Sequence, residues 1–141
     1  MLQSAQIDAE EDLTMLGDYE VMAFVGTTDP ERAKAFYGGV LGLKLVEDAW
    51  WAIIYEVGGR HLHIEKPREK FTPVPFTALG WKVPDISAIV EKLAKKGVRF
   101  ERIPELQQDD AGIWTTPDGV GKVCWFKDPD GNLLSLTQFG K

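Results

Sequence analysis

The sequence contains almost no cysteine, no long apolar run and no excess of basic charge, and each absence excludes a class of protein. Its 141 residues include a single cysteine, so no disulfide can form within the chain, which is typical of a reducing cytoplasm. Apolar runs such as 49–55 are far shorter than the roughly 18 residues of a membrane helix, and the N-terminus shows no secretion signal. We therefore expect a cytoplasmic protein without a membrane partner.

The charge of the chain is unevenly distributed. Residues 1–18 carry five acidic side chains and no basic one, whereas residues 19–141 carry 16 basic and 17 acidic side chains. The larger part therefore lacks the basic surface that neutralises nucleic-acid phosphates, and we expect no nucleic-acid partner. We interpret 1–18 as an acidic N-terminal extension, either a short packed helix or a disordered tail, and 19–141 as one domain.

A first module is predicted at about residues 19–66. A strand over 19–26 precedes a helix that is capped by Asp29 and begins with Pro30. The pair Gly58-Gly59 marks a hairpin turn. Short strands are predicted after the helix, at about 43–48, 50–57 and 60–65.

A second module, at about residues 76–139, repeats this order. A strand over 77–83 precedes a helix that is capped by Asp85, and a longer loop over 103–120 carries Trp114. Strands are predicted near 98–102, 121–127 and 133–138. The repeat predicts an α+β fold in which two βαβββ modules form a curved, half-barrel-like eight-stranded sheet with a concave cup.

Strand alternation assigns side chains either to the helix side of the sheet or to the cup. Matching the turn glycines of the two modules pairs Ile53 with Trp125 and His63 with Ser135. This match places Ala52, Ile54, Cys124 and Phe126 under the helices. The expected ligand-binding residues, on the cup or closing its mouth, are Met22, Phe24, Trp51, Tyr55, His63, Trp114, Trp125 and Ser135. So many large aromatic rings indicate a cup for a small organic molecule.

Two segments carry a family resemblance. The sequence DPERAKAFY over 29–37, followed by VLGL over 40–43, resembles the opening of the vicinal oxygen chelate superfamily. This superfamily includes glyoxalases, bleomycin resistance proteins and extradiol dioxygenases. The sequence FKDPDGN over 126–132 resembles its closing strand and turn. The resemblance extends over 19–139 and implies the fold, but both motifs are structural and say little about the chemistry.

The resemblance also implies where a metal would be held. Metal-using members present His, Glu or Gln on the first and last strands of each module. The corresponding positions here are Met22, His63, Ala78 and Ser135, and only His63 is a good ligand. A shift of two residues would replace Met22 by Glu20. We therefore expect a degraded metal site and no metal cofactor.

The segment His61-x-His63-x-Glu65 keeps an alternative open. All three side chains fall on one face of a strand, and His-x-His on a strand can bind zinc. The other interpretation is a polar strip with His63 hydrogen-bonded. If a divalent metal binds, we expect His63 to hold it together with Glu20, His61 or Glu65.

Two functional hypotheses follow. In the first, the chain resembles the bleomycin-resistance branch and binds a small organic molecule in its aromatic cup, as a homodimer whose cups are completed between subunits. In the second, it is a metal-dependent lyase or dioxygenase of the same superfamily. A stand-alone interaction module is a third interpretation. Whether the modules pair within one chain or between chains stays open.

Overall fold

The fold was examined in a computed structural model that describes residues 15–67 and 69–140. Most of the predicted acidic extension, residues 1–14, lies outside this part. Residues Leu16–Asp18 form a short 3-10 turn on the surface. Within the described residues, no helix combines the length and the apolar composition needed to cross a membrane.

Module one contains one helix and a four-stranded sheet. Asp29 caps the helix because its Oδ1 accepts a hydrogen bond from the backbone N–H of Arg32 at 3.2 Å. Both turn glycines, Gly58 and Gly59, have positive φ angles (55° and 82°), as a two-residue hairpin turn requires. The strand order is β1-β4-β3-β2. The elements are β1 (Ala23–Gly26), α1 (Pro30–Lys34) with a π-helical continuation (Ala35–Val40), β2 (Lys44–Asp48), β3 (Ala52–Val57) and β4 (Arg60–Glu65).

Module two repeats the βαβββ order, with the strand order β5-β8-β7-β6. Its elements are β5 (Thr77–Lys82), α2 (Ile86–Lys95), β6 (Trp114–Thr115), β7 (Lys122–Lys127) and β8 (Leu133–Gln138). The strand predicted near 98–102 is wrong, because only an isolated bridge joins Phe100 to Phe126. The fourth strand of this sheet is β6, which the prediction assigned to a loop and which pairs with the other end of β7. The α+β fold with two βαβββ modules is confirmed.

The turn over 128–132 joins the two modules. The hydroxyl of Tyr37 donates a hydrogen bond to Oδ2 of the buried Asp128 at 2.6 Å. The side-chain amide of Asn132 donates to the same oxygen at 2.8 Å and to the carbonyl of Gly26 at 2.9 Å. The sequence DPDGN therefore acts as a structural latch between the modules.

One hydrophobic core serves both modules. Phe36 lies 6.4 Å from Phe126 of sheet two, and Tyr37 lies 6.4 Å from Tyr55 of sheet one, measured between ring centroids. The first helical segment thus packs against helix-side residues of both sheets. We call the opposite face of each sheet its cup face, and both cup faces point away from this shared core.

The faces of β7 agree with the prediction, whereas those of β3 are reversed. Ile53 and Tyr55 belong to the shared core, and Ala52 and Ile54 lie on the cup face. Ile54 lies nine residues before its partner His63, whereas Trp125 lies ten residues before its partner Ser135. Matching the turn glycines therefore displaces β3 by one residue, which exchanges its two faces.

Candidate functional site

The cup face of sheet one presents an imidazole between two aromatic rings. The ring centroid of His63 lies 5.0 Å from that of Phe24 and 5.3 Å from that of Trp51. Phe24 is the β1 residue paired with His63, so both side chains share one face. Strand alternation from Ile53, which faces the core, would turn Trp51 to the core as well. Trp51 precedes β3 and lies outside the regular strand, however, and its ring reaches His63. We call these three rings the imidazole half-site.

One atom of this half-site has no hydrogen-bond partner. His63 is 7% exposed, and its Nδ1 is buried without a partner among the described residues. Burying such an atom unpaired costs about 1–3 kcal/mol. By contrast, Phe24 and Trp51 are 48% and 38% exposed. An unpaired polar atom beside exposed rings is typical of a binding site rather than of a core.

The cup face of sheet two presents two tryptophans. Trp114 and Trp125 lie 6.3 Å apart between ring centroids, with an interplanar angle of 33°. Trp114 pairs with Val123 across β6 and β7, and Trp125 pairs with Ser135 across β7 and β8. We call Trp114, Trp125 and Ser135 the tryptophan half-site.

Gly80 also belongs to this half-site, although it was not among the predicted site residues. Gly80 pairs with Ser135, and a Cβ at Gly80 would lie 2.5 Å from the Ser135 hydroxyl oxygen. The absence of a side chain at Gly80 therefore gives this hydroxyl its room. An isolated glycine within a strand pattern indicates such a close approach, and this signal was present in the sequence.

The remaining two predicted ligand-binding residues, Tyr55 and Met22, belong to neither half-site as defined. Tyr55 is 1% exposed on the helix side of sheet one, so its predicted place on the cup face is wrong. Met22 lies just before β1 and is exposed, two residues from Phe24. The structure thus brings six of the eight predicted residues together as two groups, and each group belongs to a different sheet.

The candidate metal ligands named with His63 do not gather around it among the described residues. Glu20 forms an exposed ion pair with Arg60 at 3.0 Å, and His61 and Glu65 are exposed. Across residues 15–67 and 69–140, no three His, Cys, Asp or Glu side chains lie close enough together to hold an ion.

The register also revises two of the positions inferred from the family resemblance. The β1 residue opposite His63 is Phe24 rather than Met22, and the β5 residue opposite Ser135 is Gly80 rather than Ala78. A phenyl ring and a hydrogen atom cannot coordinate a cation. The donor set therefore does not fit a divalent metal.

The single thiol is not part of either half-site. Cys124 is fully buried on the helix side of β7, and burial raises its pKa to about 12. A thiol is a nucleophile only as the thiolate. Cys124 is therefore a core residue on the helix side, where the sequence match placed it, and little of its thiol is thiolate at neutral pH.

Comparison with solved structures shows the same fold in proteins of low sequence identity. TnmS3, an antibiotic binding protein from Streptomyces sp. CB03234, is 23% identical with a TM-score of 0.69, and the match covers 90% of this chain and 100% of that chain. A lactoylglutathione lyase from Agrobacterium tumefaciens is 17% identical with a TM-score of 0.66, over 86% and 93% of the two chains. A superfamily member from Sphaerobacter thermophilus is 22% identical with a TM-score of 0.66, over 85% and 96%.

No curated protein matches the chain in sequence. The solved structures are too distant to carry more than the fold. A family profile, however, matches residues 20–136, which is most of the chain, and agrees with the latch motif and the duplicated βαβββ modules. The chain belongs to the Glyoxalase/Bleomycin resistance protein/Dioxygenase superfamily.

Proposed function

We propose that this protein binds a small, planar organic molecule on its aromatic cup faces, without using a metal. The observation that carries the proposal is His63, whose buried Nδ1 lacks a partner and whose ring lies between the partly exposed rings of Phe24 and Trp51. Aromatic rings bind planar ligands through contact area and stacking, and one polar atom among them can orient the ligand.

We further propose that two copies of the chain complete each cup. The imidazole half-site and the tryptophan half-site lie on different sheets, and both face away from the shared core. A second copy that places its tryptophan half-site over the imidazole half-site of the first would cover the exposed rings of Phe24 and Trp51 and the half-buried rings of Trp114 and Trp125. Covering exposed apolar surface is a principal source of association free energy.

The likeness to TnmS3, an antibiotic binding protein, supports a role in binding rather than catalysis. The likeness to a lactoylglutathione lyase keeps an enzyme of the same superfamily as the alternative. The donor set supports the binding role, because Phe24 and Gly80 occupy strand positions where a metal would need ligands. The single buried thiol agrees with the proposed cytoplasmic location.

Light scattering after gel filtration tests the assembly. A dimer of about twice the 15.8 kDa chain mass is expected, and a monomer at all concentrations would contradict the shared cup. Binding is then measured by tryptophan fluorescence with two probes, bleomycin and anilinonaphthalenesulfonate. We expect Trp125→Ala to weaken binding of the better probe by about tenfold or more, because it removes one wall of the cup.

The matched control is Trp81→Phe, because Trp81 packs against the shared core rather than facing the cup. It should leave binding of the probe nearly unchanged. Equal loss in the two variants would contradict a specific cup. Saturable binding of Zn²⁺, Ni²⁺, Fe²⁺ or Mn²⁺ that disappears in His63→Ala would instead favour the metal-dependent alternative.

A further inference from the structure

Trp114 is carried by a folded connection between α2 and β7. Its own strand, β6, is only two residues long and forms just two residue pairs with β7. Such a short strand cannot by itself hold a large side chain in one place. The residues before it, 101–113, supply the missing support, and we call them the arm.

The arm is folded around the side chain of Gln108. Its Oε1 accepts a hydrogen bond from the backbone N–H of Ile103 at 2.7 Å. Its Nε2 donates to the carbonyl of Glu101 at 2.9 Å and to that of Gly112 at 2.7 Å. One side chain thus joins the beginning of the arm to the residues directly before Trp114. Both amide hydrogens are used, so no other residue type of similar size can replace this pattern.

Two further contacts close the arm. The guanidinium of Arg102 donates to the carbonyl oxygens of Asp109 at 2.6 Å and of Asp110 at 2.8 Å. Ile113, the residue before Trp114, is buried in the shared core. The end of the arm is therefore anchored on the helix side, and alternation directs Trp114 to the cup face.

We propose that Gln108 is a positioning residue that holds Trp114 in place against Trp125, and so forms the tryptophan wall of the cup before a ligand arrives. The role of this positioning in binding rests on the proposed ligand-binding function. The placement of the Trp114 ring itself does not require a ligand. A ring that is already held in its binding position loses less freedom when the ligand binds, and binding is tighter for that reason.

Circular dichroism measures the placement of the ring directly. Two indoles with ring centroids 6.3 Å apart are close enough for their excited states to couple, and we expect this coupling to give a bisignate signal. The contribution of this pair is the difference between the wild-type spectrum and that of Trp114→Phe. We expect Gln108→Ala and Gln108→Glu to lose most of this difference, because Ala removes all three hydrogen bonds and Glu removes both donors.

Two controls separate positioning from general loss of stability. Gln107→Ala changes the exposed neighbour, which makes no side-chain hydrogen bond to the rest of the described chain, and should keep the signal. Ile86→Val lowers stability in the core of module two, and should keep the signal while the protein is folded. An unchanged signal in Gln108→Ala, or an equal loss in Ile86→Val, would overturn the proposal.

Binding of anilinonaphthalenesulfonate links the arm to function. We expect the dissociation constant to rise about tenfold in Gln108→Ala and to stay within about twofold in Gln107→Ala. If the signal collapses in Gln108→Ala while the wild-type protein binds no probe, the positioning of Trp114 stands and the proposed function fails. If the signal collapses and binding is unchanged, the assignment of Gln108 to the ligand wall is refuted.

Discussion

The contact between Tyr37 and Asp128 gives the sharpest prediction about stability. Tyr37→Phe removes one buried hydrogen bond of 2.6 Å to a carboxylate, and the ring stays in the core. A hydrogen bond to a charged group contributes about 1.5–3 kcal/mol. Asp128 keeps three donors, the side-chain amide of Asn132 and the backbone N–H groups of Asp130 and Asn132. We therefore expect a loss in the lower half of that range, about 1.5–2 kcal/mol.

The matched control is Tyr55→Phe. Tyr55 is equally buried, but its hydroxyl forms no hydrogen bond with any other described residue. Its removal should change the free energy of unfolding by less than about 0.5 kcal/mol. Urea unfolding at one fixed protein concentration measures both variants, because dimerisation would otherwise alter the comparison. An equal loss in the two variants would refute the latch as the link between the modules.

The same hydrogen bond predicts a dependence on alkaline pH. Burial, followed by the charge of Asp128, raises the pKa of Tyr37 above its ordinary value near 10. Because this pKa is higher in the folded state than in the unfolded chain, the neutral hydroxyl of Tyr37 contributes its full stability below pH 10. Its contribution decreases as the pH rises above 10. Above pH 10, the stability difference between the wild type and Tyr37→Phe should therefore shrink by about 1.4 kcal/mol per pH unit. A difference that stays constant up to pH 11 would contradict this origin.

Three other predictions concern the core thiol and the two half-sites. At pH 8, Cys124 should carry about a thousandfold less thiolate than in the unfolded chain, and native protein should react correspondingly slowly with Ellman's reagent. In the proposed dimer, where Ser135 of a second copy would face His63, Phe24→His combined with Ser135→Glu should create Zn²⁺ binding, measured by calorimetry; equal Zn²⁺ affinity in the wild type would contradict the account of the degraded metal site. Gly80→Ala should cost about 1 kcal/mol because its Cβ meets the Ser135 hydroxyl, and Ser135→Ala in the same chain should restore that stability.

Local patterns in the sequence predicted most of the secondary structure. The predicted β4 agrees with Arg60–Glu65 at both ends, because a Gly-Gly turn and alternating side chains mark it on both sides. Asp29 and Asp85 cap their helices as expected. The prediction failed at 98–102, where an alternating apolar pattern forms no strand. There only Phe100 forms a bridge to β7, and Gln108 binds the backbone of Glu101 and Ile103 directly after it, where the arm begins.

The predicted site depended on how the strands of each sheet pair with one another, and part of it was therefore wrong. His63, Trp125 and Ser135 were assigned correctly to the cup face, because the match between β4 and β8 was right. Tyr55 was misassigned, because the β7–β8 hairpin has one residue more between equivalent pairs than the β3–β4 hairpin, which displaced β3 by one position. Gln108 could not be recognised, since the three backbone groups that it binds come together only when the arm folds.

The amino-acid order alone determined the duplicated βαβββ pattern and the latch motif, because helix caps, turn glycines and strand alternation are local properties. The tertiary structure decided which face of β3 looks outward and that the helices of both modules share one core. It also decided that the imidazole and tryptophan half-sites belong to different sheets. These outcomes depend on pairing between residues far apart in the chain, where one added turn residue reverses a face without leaving a local signal.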